Sequence, residues 1–588
     1  MSLWRVGVFS LIGWSIWSDA AAQTAASKLY YPPCARFAAH YTFDCYHNYA
    51  EVTDFLRAAT ERHSQLARME SLGQSYEGRD IWVVTVTDFS VGEPDQKPGI
   101  WVDGGVDADE VIATEAALGL VHHLLTSPDP VVRQLLRTRV FYIAPMVIPD
   151  ASELHHNTPE RPRDTTLRPW DDDGDGQADE DGVEDLDGDN QALQMRRIDP
   201  SGSMVVDERD ARLMRSRRPG DRGPFYRVYL EGIDNDRDGE YQEDRPGGID
   251  PNRNYPGNWS LEQGGSGPFA GSELELRAML DFALTHPNIA ASQHFHSSGG
   301  VVLRPPSVPD FELPAADLSL YLGLSRLGLE VTGYNLATSV YDWNWPSGSG
   351  NRKRGQVYRN DEGAIRGWPS GGGNAYPAYG GSIDGYYMLF GVLAFANEIY
   401  QMGPDTDGDG QVDSFEQLQF DDDSLGGAAF KEWEAVEHPQ LGPVEIGGWR
   451  KFGQNNPLGP RIAEEVDRNL RFALMQAEHT PLLVVDTVEV EDLGGGIHRI
   501  TATVRNSGTQ PTELAIRRQQ DRAVPVRVRL ATTGAVEILS NPEMVDVGIL
   551  IGHAQRDAEW LVRMSGDATV TVVATHPKAG VARAAVRF

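Results

Sequence analysis

Side-chain oxygens recur at alternate positions in several stretches of this chain. Asp405, Asp407, Asp409 and Gly410, followed by Asp413 and Glu416, occupy positions 1, 3, 5, 6, 9 and 12 of a twelve-residue loop. That spacing lets an EF-hand-type loop wrap hard oxygens around calcium, with glycine making the sharp turn. Asp171, Asp173, Asp175 and Gly176, with Asp179, repeat the opening of the pattern, as do Asp234, Asp236, Asp238 and Gly239. Asp185, Asp187 and Asp189 form a copy without the glycine. Roughly two to four bound calcium ions are expected. Composition alone would also permit a disordered acidic tract, but the repeated alternate-position spacing argues against it.

The elements around these loops alternate. Apolar residues at helical spacing (Val52, Phe55, Leu56, Ala59, Leu66) precede a polar turn at 75–80 and an alternating strand over 81–87. A second apolar run, 99–102, leads through Asp103-Gly104-Gly105-Val106-Asp107-Ala108-Asp109-Glu110 into a helical segment over 111–125, and 140–147 reads as a further buried strand. The pattern resumes over 274–284, 289–296, 318–332 and 386–400 and ends in a helical segment over 460–477. Such alternation predicts an α/β layer structure with polar residues gathered at the carboxyl ends of the strands. Between about 157 and 248 the periodicity disappears, so this stretch reads as an acidic insertion ordered by bound ions. From 481 onward, short β-rich runs between Gly, Asn, Ser and Pro turns predict an immunoglobulin-like β-sandwich over 481–588.

The chain's 588 residues exceed one ordinary core. Its 86 acidic against 52 basic residues repel phosphate backbones and anionic headgroups, which argues against nucleic-acid partners. Eleven acidic residues fall within the twenty from Asp171 to Asn190, a concentration that points to cations. Arg5, the apolar run 6–17 and Ala20-Ala21-Ala22 have the parts of a secretory signal peptide over 1–22, and the run is shorter than the roughly 20 residues of a membrane span. A secreted or periplasmic location is expected, with no membrane span. There the two cysteines, Cys34 and Cys45, are expected to form a disulfide.

Further segments, in order along the chain, resemble the motifs of the metallocarboxypeptidase A family of zinc carboxypeptidases. Gly73-Gln74-Ser75-Tyr76-Glu77-Gly78-Arg79 looks like its G-x-S-x-E-G-R turn. Gly105-Val106-Asp107-Ala108-Asp109-Glu110 resembles G-x-H-x-x-E, with Asp107 standing where the motif has histidine. Asp250-Pro251-Asn252-Arg253-Asn254 matches D-x-N-R-N, and Ser292 to Ser297 resembles the strand carrying the third zinc ligand, His296. The run 376–384, followed by Phe395-Ala396-Asn397-Glu398, corresponds in residue types and spacing.

The resemblance, over roughly 46–480, implies a carboxypeptidase-like mixed sheet flanked by helices within a domain spanning 23–480. It implies a metal, zinc in the family, held by Asp107, Glu110 and His296. It casts Glu398 as general base toward the attacking water, with Asn252 and Arg253 holding the terminal carboxylate of a peptide. Tyr376 becomes the mobile tyrosine, Arg196 the stabiliser of the developing oxyanion, and Ile383 the apolar floor of a pocket for an apolar or aromatic C-terminal residue. A carboxylate in place of imidazole makes the site harder in its ligand preference, so manganese or calcium also enters consideration. His294, two residues before His296 on a strand, faces the same side and is a further candidate ligand or a hydrogen-bonded neighbour. The expected function is a secreted metallocarboxypeptidase acting on peptide or protein C-termini. The alternatives are a catalytically inactive peptide-binding relative and an amidohydrolase or deacylase on the same fold.

Overall fold

The computed structural model describes Cys34, Phe37, Ala38 and residues 41–159, 164–171, 174, 176–179, 181–242, 244–308, 313–343, 356–359, 363–367, 377–407, 412–540 and 544–587. The expected signal peptide lies outside the described residues. Cys34 and Cys45 are joined by a disulfide.

A ten-stranded mixed sheet organises the body. Its strands in chain order are β1 (Ala67–Gln74), β2 (Asp80–Val86), β3 (Gly99–Asp103), β4 (Val140–Ala144), β5 (Ile289–Ser297), β6 (Val301–Arg304), β7 (Leu336–Ser339), β8 (Val357–Arg359), β9 (Ile365–Gly367) and β10 (Leu393–Ile399). Their spatial order is β1-β2-β4-β3-β5-β10-β6-β7-β8-β9. The central strands β4, β3, β5 and β10 are parallel neighbours. They are buried along almost their whole length, as expected of parallel strands covered on both faces.

The main helices are α1 (Tyr49–Arg62), α2 (Val111–Thr126), α3 (Pro130–Thr138), α4 (Pro149–Asn157), α5 (Leu274–Thr285), α6 (Ala315–Thr332) and α7 (Arg461–His479). Helix α1 starts in a capping box, in which Asn48 accepts from the Glu51 N–H and Glu51 from that of Asn48. Period-two alternation along β3 sends Ile100 and Val102 to one face, where Ile112 and Leu118 of α2 meet Val466 and Leu470 of α7. Trp101 points the other way and packs with Met279 and Phe282 of α5.

The insertion is more regular than its composition predicts. Residues 194–198, 204–206, 214–216 and 226–230 form a second, six-stranded sheet with 430–438 and 442–449. Its small core is Met195, Tyr241, Val444 and Ile446. Strands this short carry too few residues to show a period, and 194–198 joins 442–449 across some two hundred and fifty residues of chain.

The C-terminal segment forms a separate antiparallel sheet of Leu483–Gly494, Ile497–Asn506, Val526–Ile538, Met544–Gly548, Gln555–His576 and Gly580–Arg587. The long strand Gln555–His576 pairs with three others, folding the sheet around Trp560, Val528 and Val572 in the manner of a β-sandwich. This module is tied to the body. Leu514 and Ile516 join the core of Tyr321, Phe395 and Phe472, and the Asp317 carboxylate accepts the N–H groups of Ala515 and Ile516.

Candidate active site

Strand β3 ends at Asp103, and Gly104-Gly105 turns the chain toward α2. A Cβ on Gly104 would lie 2.4 Å from the carbonyl oxygen of Ala113, and Gly105 has φ +63°. Glycine is therefore required at this turn. The turn delivers Asp107 and Glu110 to the N-terminal end of α2, where the helix dipole favours carboxylates. Glu110 precedes the helix without capping it. The Ile112 N–H donates instead to Asn456 Oδ1 at 3.1 Å, which leaves the Glu110 carboxylate to the cleft.

Parallel pairing sets Glu398 of β10 beside His296 of β5 and His294 beside Asp103. The carboxyl ends of these strands form the crevice where open α/β sheets bind ligands. His296 Nδ1 lies 2.9 Å from Asp107 Oδ2 and 3.0 Å from Glu110 Oε2. One donor atom from each of the three residues falls within 4.8 Å of the others. Asp107 Oδ1 and His296 Nε2 are buried without a hydrogen-bond partner. A buried oxygen without a partner costs on the order of 1–3 kcal/mol, and for Asp107 that cost would be offset by a divalent ion shared with Glu110 and with His296 Nδ1, the nitrogen that faces both carboxylates. Imidazole nitrogen and carboxylate oxygen are both zinc donors. The residues present therefore fit the metal that the family motif implies.

Charge is concentrated at this point. Burial, reinforced by Asp107, holds the Glu110 carboxyl well above its ordinary range. Burial disfavours the His296 imidazolium, but the Glu110 and Asp107 carboxylates together outweigh it and hold that pKa well above usual. Glu398 is pushed up to about 7, by burial first and by Asp107 in addition, against the opposing His296 and Arg253.

His294 takes the neighbour role. Its Nδ1 is 2.8 Å from Asp103 Oδ2, which also accepts from Trp101 Nε1, and its Nε2 is 3.0 Å from Ser292 Oγ. With both ring nitrogens engaged, it braces β3 against β5 beneath the site.

Asn252, Arg253 and Ile383 line the same cleft of about 200 Å³ as Asp107, Glu110, His296 and Glu398. Asp250 fixes the 251–253 turn by accepting the Asn252 N–H at 2.6 Å. Asn252 Oδ1 in turn accepts the Ser382 N–H at 2.9 Å. A Cβ on Gly380 would come within 2.2 Å of the Arg253 carbonyl oxygen, so glycine lets the 380–383 segment close against the arginine turn. Leu303, Val340, Trp343, Ala378 and Ala396 make the rest of that side apolar.

Arg196 is a correction. It sits in the second sheet, bonded through Nε to Glu445 at 2.7 Å and stacked 4.3 Å from the Trp433 ring centre, and it does not line the cleft. The insertion carries Arg196 into the second sheet, where Glu445 and Trp433 hold it. Tyr376 lies outside the described residues.

Groups outside these motifs lie in or beside the cleft. Asp164 lines it. Asn456 Nδ2 donates to the Asp109 carbonyl at 2.7 Å, and Ser297 Oγ donates to the Asn455 carbonyl. A pair of adjacent asparagines before α7 was the only available signal for the second of these.

Of the expected calcium ligands, Asp405, Asp407 and Glu416 converge, as do Asp234, Asp236 and Asp238. Asp185 and Asp187 converge with Glu231, which the spacing did not single out. Asp413 departs from expectation: it caps the helix Ser414–Phe420 and pairs with Arg209 at 2.6 Å. Asp171 accepts the N–H groups of Gly174 and Gly176, and Asp179 that of Gly247. Asp173, Asp175 and Asp409 lie outside the described residues.

Comparison with known proteins places this geometry in context. The zinc carboxypeptidase family matches residues 52–405, and a domain of unknown function matches 482–587. Carboxypeptidase A1 of Sus scrofa is 22% identical over 339 residues, covering 53% of this chain and 62% of that protein. A zinc carboxypeptidase of Saccharothrix mutabilis subsp. capreolus is 29% identical over 110 residues, 18% of this chain and 25% of its own length. The chain thus spans between a quarter and about three fifths of these curated relatives. The crystal structure of carboxypeptidase A from Helicoverpa armigera superposes with a TM-score of 0.42 at 16% identity, covering 70% of this chain and 77% of that one.

Proposed function

The chain belongs to the zinc carboxypeptidase family, and from that premise we propose that it is a metallocarboxypeptidase removing C-terminal residues from peptides. The observation that carries this reading is the convergence of Asp107, Glu110 and His296, with two buried atoms unbonded, beside Glu398 and Arg253 in one cleft. Asp107, Glu110 and His296 would hold the metal. Zinc supplies, when bound, a Lewis acid that polarises a peptide carbonyl and makes water more acidic.

The remaining work falls to the chain itself. Arg253 and Asn252 take the substrate's terminal carboxylate, the Arg253 guanidinium through charge-assisted hydrogen bonds. This confines cleavage to chain ends. Ile383, with Leu303, Val340 and Trp343, receives an apolar or aromatic terminal side chain. Glu398, with a pKa near neutrality, takes a proton from the attacking water and returns it to the leaving amine.

The same reading extends to location and to calcium. The N-terminal signal pattern and the Cys34–Cys45 disulfide support export. The acidic groups at 185–231, 234–238 and 405–416 support calcium binding in and beside the insertion.

Hydrolysis of a blocked dipeptide ending in phenylalanine, compared with one ending in lysine and with an acylated amino acid, tests this assignment. Preferential cleavage of the phenylalanine peptide supports it. Cleavage of the acylated amino acid alone favours a deacylase, and tight binding of all three without turnover favours an inactive relative.

A further inference from the structure

A cavity of about 420 Å³ lies in the seam between the body and the C-terminal module. Sites for small molecules run to roughly 300–1,000 Å³ and concentrate at such seams. One side is apolar: Leu280, Ala283 and Ile289 from the region of α5, and Leu389, Phe390 and Val392 from the segment entering β10. The C-terminal module supplies the charges, Glu513, Arg517, Arg522 and Lys578.

Those charges are unevenly satisfied. Lys578 Nζ donates to the carbonyls of Phe390 and Gly391 at 2.6 Å each and is fully engaged in holding the seam. Arg517 donates through Nη1 and Nη2 to the carbonyls of Leu389 and Arg522, but its Nε is buried with no partner. The Arg522 side chain is exposed, and no ion pair to it occurs among the described residues. Glu513 is only 4% exposed. Its contacts to Lys578 Nζ, His576 Nε2 and the Val524 N–H are all long, at 3.5, 3.8 and 3.4 Å. A charge-assisted bond is about 2.7–2.9 Å, so this buried carboxylate lacks a close donor.

An underbonded buried carboxylate, two guanidinium groups with bonding capacity left, and an apolar wall between them are the complement of a zwitterion with a bulky apolar side chain. We propose that the interdomain cavity binds a free apolar α-amino acid. Its ammonium meets Glu513, its carboxylate meets Arg517 Nε and Arg522, and its side chain packs on Leu280, Ala283 and Phe390. In a chain carrying a net charge of −34, this cluster is a local exception that would draw in a carboxylate. The proposal rests on the carboxypeptidase reading only for the origin of the ligand, since that reaction releases such amino acids.

The test is calorimetric titration of full-length, chelator-treated Arg253→Ala protein, in which the terminal-carboxylate site of the cleft is disabled. L-phenylalanine should bind saturably, and N-acetyl-L-phenylalanine and phenethylamine, each lacking one charge, should bind at least about ten-fold more weakly, a difference of about 1.4 kcal/mol. Arg522→Glu, an exposed change that leaves the core untouched, and Glu513→Gln should each weaken phenylalanine binding by a similar factor, and Leu284→Trp at the mouth should block it. Absence of saturable binding, equal binding of the three probes, or indifference to both Arg522→Glu and Glu513→Gln would overturn the proposal. Binding by this variant, with no peptide cleavage by the zinc-loaded wild-type protein, would leave this site standing and remove the carboxypeptidase reading instead.

Discussion

In the cleft, Asp107, Glu110 and His296 each bring one donor atom together, and Asp107 Oδ1 is buried without a partner. In the acidic insertion, the aspartates instead spend their oxygens on their own turns. Asp185 accepts the N–H groups of Gly188, Asp189 and Asn190, Asp234 accepts that of Arg237, and Lys431 pairs with Asp187 and Asp189. Both regions bring carboxylates together, but in the cleft they are buried against an imidazole, whereas in the insertion most of their oxygens already accept backbone N–H groups or a lysine. Acid content alone therefore does not identify a catalytic centre.

The largest effect should come from the cleft's base. Glu398→Gln should reduce turnover by about 10²–10⁴-fold while metal content, measured by mass spectrometry, stays at the wild-type level. A parallel loss of metal would make Glu398 a ligand and blur the separation of roles.

Next in size is the support beneath the cleft. Removing residues 480–588 would expose Tyr321, Phe395 and Phe472 where Leu514 and Ile516 now pack. Burial of the latter two side chains alone is worth roughly 3–6 kcal/mol. The truncated chain should be poorly soluble or melt well below the full chain. An unchanged melting temperature would show that the cleft does not depend on the module.

Arg253→Ala should raise KM for peptides about a hundred-fold, the effect of losing a partly buried partner for a carboxylate, and change kcat less. Equal changes in both would place Arg253 in the transition state instead.

The smallest effect belongs to the insertion. Burial pushes Glu231 up to about 7. A carboxyl raised in the folded state contributes stability that is complete below its unfolded pKa and is lost as pH rises through the folded one. Without calcium, proteolysis of the region 181–242 should accelerate between pH 5 and pH 8, and calcium at Asp185, Asp187 and Glu231 should abolish that slope. Identical cleavage with and without calcium would remove the cation from these loops.

The body of the fold was legible because its long apolar runs, 99–102, 140–147 and 289–296, are the buried parallel strands themselves. The convergence of Asp107, Glu110 and His296 followed from motif order. The second sheet was not legible, because strands such as Met204–Val206 and Met214–Ser216 are too short for a period, and its core joins Met195 to Val444 and Ile446 from far along the chain. The place of Arg196 was not legible for the same reason, since it depends on Glu445 and Trp433 across that sheet. Asp164, Trp343 and Asn456 reach the site through tertiary packing, which leaves no local pattern.

The central claim is that Asp107, Glu110 and His296 hold one catalytic metal. Its most direct measurement is zinc content, after zinc loading and gel filtration, of wild type, Asp107→Ala and Asp107→His, with hydrolysis of the phenylalanine-ending dipeptide assayed on the same samples. The account predicts about one zinc per chain and activity in the wild type, loss of both in Asp107→Ala, and retained or tighter zinc in Asp107→His. Wild-type protein holding no metal and cleaving nothing, while Asp107→His gains both, would contradict it.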